Sequence, residues 1–252
     1  MINPMDLSAK RILLTGASSG IGKAAAIHLS RLGANLQLVA RNEDKLNETL
    51  KALDGSGHKI YPFDLNNIEG IEELVRNIVL ENKALNGMVH CAGIADMRPL
   101  QMTKYDFIHK MFIINFFSFI ELVRVFSKRD NYIENASIVG ISSVAGSNGI
   151  KSKVAYCSSK SAIDGAIRSL SVELAVKKIR VNSIIPGFIK TEIYDQYIKN
   201  AGNEAFEKNV LTRQYSGIGE TQDTSNAIAF LLSDASKFIT GTGLIVDGGY
   251  LS

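Results

Sequence analysis

The chain has 252 residues, with 28 Lys and Arg against 25 Asp and Glu, a formal net charge of +3. With 46% apolar and 21% charged residues it reads as a folded globular protein and excludes a disordered chain. So small a charge excess predicts neither nucleic acid nor a membrane surface as partner, and the two cysteines, Cys91 and Cys157, are too few for a disulfide framework.

Short apolar runs alternate with helical patterns along the whole chain. A strand at 11–15 leads into a helix at 20–32. A strand at 35–40 and a helix at 43–53 follow, then a strand at 59–62 and a helix at 68–82. The strand at 87–91 precedes a long helix at 103–128. A strand at 136–142 precedes a helix at 154–176, and a strand at 179–185 leads into a long polar stretch at 188–219. That stretch has weak helical signals at 192–199 and 204–210. A helix at 223–232 and a strand at 244–246 close the chain. The N-terminus has no apolar signal core, and the most apolar stretch, 111–119, is interrupted by Asn115. It is far shorter than the roughly 20 residues a membrane span needs. A reduced, cytoplasmic protein is therefore expected, with no membrane partner.

The runs Ile12-Leu-Leu and Val181-Asn-Ser-Ile-Ile are almost continuously apolar, as befits parallel strands covered on both faces. Strand–helix alternation then predicts an α/β fold: a Rossmann-type, doubly wound parallel sheet of about seven strands with helices on both faces. One domain spans 1–252, and the stretch 188–219 is expected to form a substrate-binding lid within it.

Thr15-Gly-Ala-Ser-Ser-Gly-Ile-Gly22 joins the first strand to the first helix. Gly16 permits a tight turn, Gly20 lets backbone approach a pyrophosphate, and Gly22 lets helix and strand pack closely. The helix N-terminus then presents free N–H groups to phosphate. The spacing Gly-x-x-x-Gly-x-Gly lacks the Gly-Lys-Ser/Thr ending of a P-loop. At the end of the second strand, where NAD sites usually carry an acidic residue, stands Ala40, followed by Arg41. A carboxylate would repel a 2′-phosphate, whereas Arg41 can pair with it, so NADP(H) is preferred over NAD(H). Asp64 either accepts a hydrogen bond from adenine or caps the next helix.

Tyr156 and Lys160 stand one helical turn apart, the only such pair among eight tyrosines. A free tyrosine titrates near pH 10, and a neighbouring ammonium favours its phenolate. Ser143, just past a strand, can bind a carbonyl oxygen beside Tyr156, with Ser142 as the adjacent alternative. Asn115 is an amide within an apolar helix, and is either a structural hydrogen-bonder or a water-positioning group. The four histidines form no metal cluster, so no metal is expected.

These segments resemble the short-chain dehydrogenase/reductase family, in its shorter single-domain form, from about residue 6 to the end. Within it they are most similar to the 3-oxoacyl-[acyl-carrier-protein] reductase group. The resemblance implies a catalytic tetrad of Asn115, Ser143, Tyr156 and Lys160. It extends the cofactor-binding set, Gly16, Gly20, Gly22, Arg41 and Asp64, with Ser18, Ser19, Ile21, Leu65, Cys91, Ala92, Gly93, Pro186, Gly187, Ile189 and Thr191, besides Tyr156 and Lys160. Arg180, Val181 and Asn182 fall with Pro186 and Gly187 among segments expected on the nicotinamide side. The implied reaction passes a hydride to a carbonyl carbon while Tyr156 gives its oxygen a proton. Ser143 polarises the carbonyl, Lys160 lowers the Tyr pKa and holds the ribose, and Asn115 orients a water. The chain departs from the family's Asn-Asn-Ala-Gly segment with His90-Cys91-Ala92-Gly93, and Cys91 cannot make the amide bridges that brace neighbouring strands.

The function expected is NADP(H)-dependent interconversion of a carbonyl and a secondary alcohol. The substrate is a small molecule, carried on acyl carrier protein if it is a 3-oxoacyl thioester. A small ketone, a steroid or a sugar is the alternative substrate, and a catalytically silent nucleotide sensor is the alternative function. Lys128, Arg129, Lys177, Lys178 and Arg180 are candidate carrier-docking cations, although cations near helix C-termini are favourable in any case. The resemblance also implies self-association as a dimer or tetramer through the two longest helices.

Overall fold

The computed structural model describes residues 3–201 and 210–252. Its strands are β1 (Arg11–Thr15), β2 (Asn35–Ala40), β3 (Lys59–Pro62), β4 (Leu85–His90), β5 (Tyr132–Ile141), β6 (Arg180–Pro186) and β7 (Gly243–Val246). They form one sheet in the order β3-β2-β1-β4-β5-β6-β7, and every neighbouring pair is parallel. The winding reverses between β1 and β4, the place where open α/β sheets leave a crevice at the strands' carboxyl ends.

The helices are α1 (Gly20–Arg31), α2 (Glu43–Lys51), α3 (Ile71–Asn82), α4 (Tyr105–Phe112), α5 (Ser118–Phe126), α6 (Val154–Glu173), α7 (Glu192–Ala201) and α8 (Thr221–Leu232). Side chains alternate across each strand. Leu13, Met88, Ile138 and Val181 therefore pack with α3, α5 and α6 on one face. Ile12, Leu14, Val139 and Ile184 pack with α1, α2 and α8 on the other. The predicted fold class and strand count are those observed.

The differences from expectation have physical causes. The helix expected over 103–128 is broken into α4 and α5 by a π turn, Ile113–Phe117. Asn115 sits inside that turn and uses its amide across the fold, and π bulges of this kind commonly accompany functional sites. The helix expected over 154–176 ends at Glu173 and continues as a 3₁₀ turn, Ala175–Lys177, ended by the left-handed Lys178. Asn42 caps α2 by accepting from Lys45 N–H at 2.8 Å. The first helical signal of the polar stretch becomes α7; of the second, residues 204–209 lie outside the described residues.

Candidate active site

A cleft of ≈ 530 Å³ runs along the carboxyl edge of the sheet. Every residue named above for cofactor binding lines it, from Arg41 and Asp64 at one end, past Gly16–Gly22 and Cys91–Gly93, to Pro186, Gly187, Ile189 and Thr191. Ser143, Tyr156 and Lys160 line it too, whereas Asn115 lies behind its wall.

The glycines are required by space as much as by conformation. Gly16 has φ +70, and a Cβ there would stand 2.6 Å from the Ala92 nitrogen; at Gly22 a Cβ would stand 2.1 Å from the Gly16 oxygen. No side chain fits either place, so the turn holds a tight backbone cradle ahead of α1. A dinucleotide fits the residues present: the cradle suits its pyrophosphate, and exposed Arg41 lines the far end of the cleft with a charge that can pair with phosphate. Asp64 does not cap the next helix, which starts at Ile71 after the N-cap Gly70; it accepts from Asn66 N and Asn66 Nδ2 at 3.0 and 2.8 Å within the turn before it, and lines the cleft.

The site's bracing replaces what Cys91 lacks. Cys91 N donates to Thr15 O at 3.2 Å, and Ala92 N donates to Thr15 Oγ1 at 3.4 Å. His90 Nδ1 lies 3.0 Å from the same hydroxyl. Burial pushes the His90 pKa down to about 3, so the ring is neutral and structural. Thr15 thereby ties β1 to β4 where the family's asparagine would. Asn115 completes the brace from the far side. It accepts from Ile94 N at 2.8 Å and donates to Ile94 O and Ser159 Oγ, both at 3.0 Å. These bonds make it a structural hydrogen-bonder of the wall behind Lys160.

Ser143, not Ser142, faces Tyr156. Ser142 Oγ is turned away, donating to Asp164 Oδ2 at 2.7 Å, whereas Ser143 lines the cleft with Tyr156 and its hydroxyl acts to lower the phenol's pKa. Lys160 Nζ donates to Ile141 O at 2.7 Å and sits 5.8 Å from the Tyr156 ring centroid. One expectation is corrected. The Tyr156 pKa is raised, because burial outweighs the lowering by the Ser143 hydroxyl, and Lys160 does not offset it. Lys160 is itself pushed down to about 8 by burial and spends a hydrogen bond on the Ile141 carbonyl, so its charge is drawn away from the phenol.

Arg180 and Asn182 are also corrected. They lie away from the cleft, where Arg180 donates to Leu231 O and Ser233 O and Asn182 to Ile239 O. They hold the segment leading into β7. The expected docking cations lie at the amino ends of the strands, across the sheet from the cleft of the same chain. Lys128 pairs with Glu72 and Lys178 with Glu134, while Lys177 Nζ donates to Ser127 O at 2.8 Å.

The ends of the expected lid are stapled together. Phe188 N donates to Gln214 Oε1, and Gln214 Nε2 donates to Phe188 O, both at 2.9 Å. Ile189 and Gly219 form a parallel bridge. From this base Thr191, Glu192, Ile193 and Tyr194 turn into the cleft. The sequence pattern does not single out Lys153, a residue 3% exposed that lines the cleft. Its one sequence signal is position: it shares the Tyr156 side of α6 at i−3.

The open parallel sheet and the glycine cradle at its switch point define a Rossmann-type dinucleotide-binding protein. The pattern described as enoyl-(acyl carrier protein) reductase matches residues 16–251. The 3-oxoacyl-[acyl-carrier-protein] reductase of Rickettsia felis is 35% identical over 248 residues, 98% of this chain and 99% of that one. The L-xylulose reductase of Caenorhabditis elegans is 32% identical and covers 97% of each chain. Among solved structures, a short-chain type dehydrogenase/reductase from Mycobacterium marinum superimposes with TM-score 0.87 at 27% identity, covering 98% of this chain and 97% of that one. A candidate NAD(P)-dependent gluconate 5-dehydrogenase from Beutenbergia cavernae, solved with NADP bound, does so with TM-score 0.90 at 26% identity over 99% of each. The chain belongs to the short-chain dehydrogenase/reductase family of oxidoreductases, whose cofactor is a nicotinamide dinucleotide. No helix among the described residues is long and apolar enough to cross a membrane.

Proposed function

We propose that the protein is an NADP(H)-dependent reductase that interconverts a carbonyl and a secondary alcohol, with Tyr156 as acid/base. The observation that carries this is that Ser143, Tyr156 and Lys160 line the same cleft as the glycine cradle. When bound, the nicotinamide supplies hydride chemistry. Gly16, Gly20 and Gly22 with the start of α1 would hold the pyrophosphate, and Arg41 the 2′-phosphate. Ser143 Oγ positions the substrate oxygen, and Tyr156 Oη gives it a proton in reduction and takes one in oxidation. Lys160, which lines the cleft with Tyr156, would hold the nicotinamide ribose. Asn115 acts through the wall it braces.

A 3-oxoacyl thioester is the substrate suggested by relatives named as 3-oxoacyl-[acyl-carrier-protein] reductases. Ile94, Ile150 and Ile193 give the cleft an apolar side suited to a short acyl chain. The second reading, a small oxidised sugar or acid, is favoured by the pairing of Lys128 and Lys178 with carboxylates of their own chain, which weakens the case for carrier docking there. Self-association through α4 and α6 is part of the same proposal. Tyr105, Phe117, Val172 and Val176 leave apolar surface exposed on and around them. The whole reaction belongs to one domain, and a cytoplasmic setting follows from the same reading.

The experiment is a panel of carbonyl compounds, including a 3-oxobutyryl thioester, assayed with NADPH and with NADH. The proposal expects NADPH consumption on at least one carbonyl and a slower rate with NADH. Equal or better rates with NADH would remove the role given to Arg41.

A further inference from the structure

Asp164 is a half-buried acid on α6 that the reaction as described does not use. It follows Tyr156 and Lys160 at successive four-residue steps, along one side of the helix. It does not line the cleft. Its carboxylate lies instead between Ser142, just past β5, and Ser183 on β6. Oδ2 accepts from Ser142 Oγ at 2.7 Å, and Oδ1 accepts from Ser183 Oγ at 3.0 Å. Both serines are buried. Two oxygens that both accept are the arrangement of an ionised carboxylate. Burial raises the pKa of this carboxyl, and the two hydroxyls, Lys160 and Arg168 act against that rise.

The ties of Asp164 converge on both sides of Ser143. Ahead of it, Ser142 N donates to Ile184 O at 2.8 Å, and the Ser142 hydroxyl reaches Lys160 O at 3.2 Å besides Asp164. Beyond it, the 3₁₀ turn Val144–Gly146 packs onto the same carboxylate: a Cβ on Gly146 would stand 3.0 Å from Asp164 Oδ2. Ser161 Oγ donates to Gly146 O at 2.6 Å, and Ser143 Oγ accepts from Ala145 N at 3.1 Å. Ser143 is thus suspended between two points held by α6, the helix that also carries Tyr156 and Lys160. A carboxylate taken out of water is costly unless it is hydrogen-bonded, and here its bonds fix the end of β5 against that helix.

We propose that Asp164 is a positioning residue of the reaction, whose clamp on Ser142 holds the neighbouring Ser143 hydroxyl on the cleft side beside Tyr156. It acts through Ser143 and does not touch the substrate. This rests on the reductase reading above and adds a residue to it. Without the clamp, Ser142 and Ser143 are adjacent hydroxyls with no charge to tell them apart. Misplacement of a reacting group by about 1 Å is enough to cost up to roughly 10²-fold in rate.

The test compares Asp164→Ala and Ser142→Ala, each alone and combined with Ser143→Ala, on the best carbonyl substrate of the panel with NADPH. Ser142→Ala keeps the acid and opens the clamp, so it carries the test if Asp164→Ala does not fold. Either single variant should lower kcat at least about tenfold, with KM and NADPH affinity within about threefold of wild type. In the Ser143→Ala background the same changes should alter kcat by less than about twofold, because the group they position is gone. Crystal structures of the single variants should show Ser143 Oγ displaced by at least about 1 Å. An equal fold-loss in both backgrounds would overturn the proposal, since Asp164 would then act independently of Ser143. Unchanged kcat in both single variants, or a Ser143 hydroxyl left in place, would overturn it as well. Absence of turnover by wild type on every carbonyl would count against the reductase reading, and the crystal structures would still decide whether Asp164 places Ser143.

Discussion

The two halves of the cleft are built on different principles. The half around Gly16–Gly22 is made of backbone. Its shape follows from a strand, a tight turn and a helix N-terminus, and its closest contacts leave no room for a Cβ. The half around Tyr156 is made of side chains carried by distant parts of the chain: Ser143 after β5, Lys153 just ahead of α6 and Tyr156 on it, and Ile193 and Tyr194 on α7. The first half can hold one kind of ligand in any relative that keeps the glycines. The second can be rebuilt by single substitutions, so substrate choice resides there.

Breaking each half should therefore give different signatures. The largest effect expected is at Tyr156. Tyr156→Phe should lower NADPH-dependent turnover by roughly 10²–10⁴-fold, the usual worth of a positioned proton donor. Fluorescence titration should show NADPH affinity nearly unchanged, since the phenol is not part of the phosphate cradle. A fall in both together would erase the distinction between the halves.

Next in size is the phosphate end. Arg41→Ala should weaken NADPH binding by roughly 10–100-fold, the loss of a charge-assisted hydrogen bond to phosphate, and leave NADH binding within a few-fold. Comparable weakening for both dinucleotides would mean that Arg41 serves the adenosine and not the 2′-phosphate.

A smaller effect is expected in stability, from the substrate half. The folded-state pKa of Lys153, about 7, lies below the ordinary lysine value of 10.5. The unfolded chain thus holds more protons between those pH values, and stability rises with pH across that window. The penalty of the buried charge is full below pH 7. Lys153→Met should therefore raise the melting temperature by several degrees at pH 6, and the gain should shrink by pH 9. A gain independent of pH would mean that the ammonium costs nothing where it lies. The smallest effect should come from Asp64→Ala, a change of roughly 2–10-fold in NADPH affinity if its carboxylate meets adenine, and none by titration if it only caps the turn at Asn66.

The contrast between the halves also marks what the sequence makes legible. Backbone sites depend on local spacing, so Gly16, Gly20, Gly22 and the strand-ending Ala40-Arg41 can be read in one dimension. The parallel, doubly wound sheet can be read as well, because nearly continuous apolar runs alternating with helices point to strands covered on both faces. Long-range packing is what local pattern does not carry. The π turn at Asn115 exists because its amide reaches Ile94 and Ser159, which no helical period announces. The choice of Ser143 over Ser142 depends on Asp164 claiming the other hydroxyl. Arg180 and Asn182 read as cofactor neighbours by their place in a motif, yet their side chains turn to the segment before β7. Lys153 is not legible because a lysine ahead of a helix ordinarily faces solvent, and only the packed structure turns it inward.

Central to the account is that one cleft brings dinucleotide, carbonyl and Tyr156 together. The direct measurement uses NADPH deuterated at the carbon that gives up its hydride, with product alcohols analysed by mass spectrometry. The account predicts one deuterium on the alcohol carbon with wild type, and a rate reduced by at least roughly 10²-fold with Tyr156→Phe. Alcohol formed without deuterium, or at an equal rate by Tyr156→Phe, would contradict it.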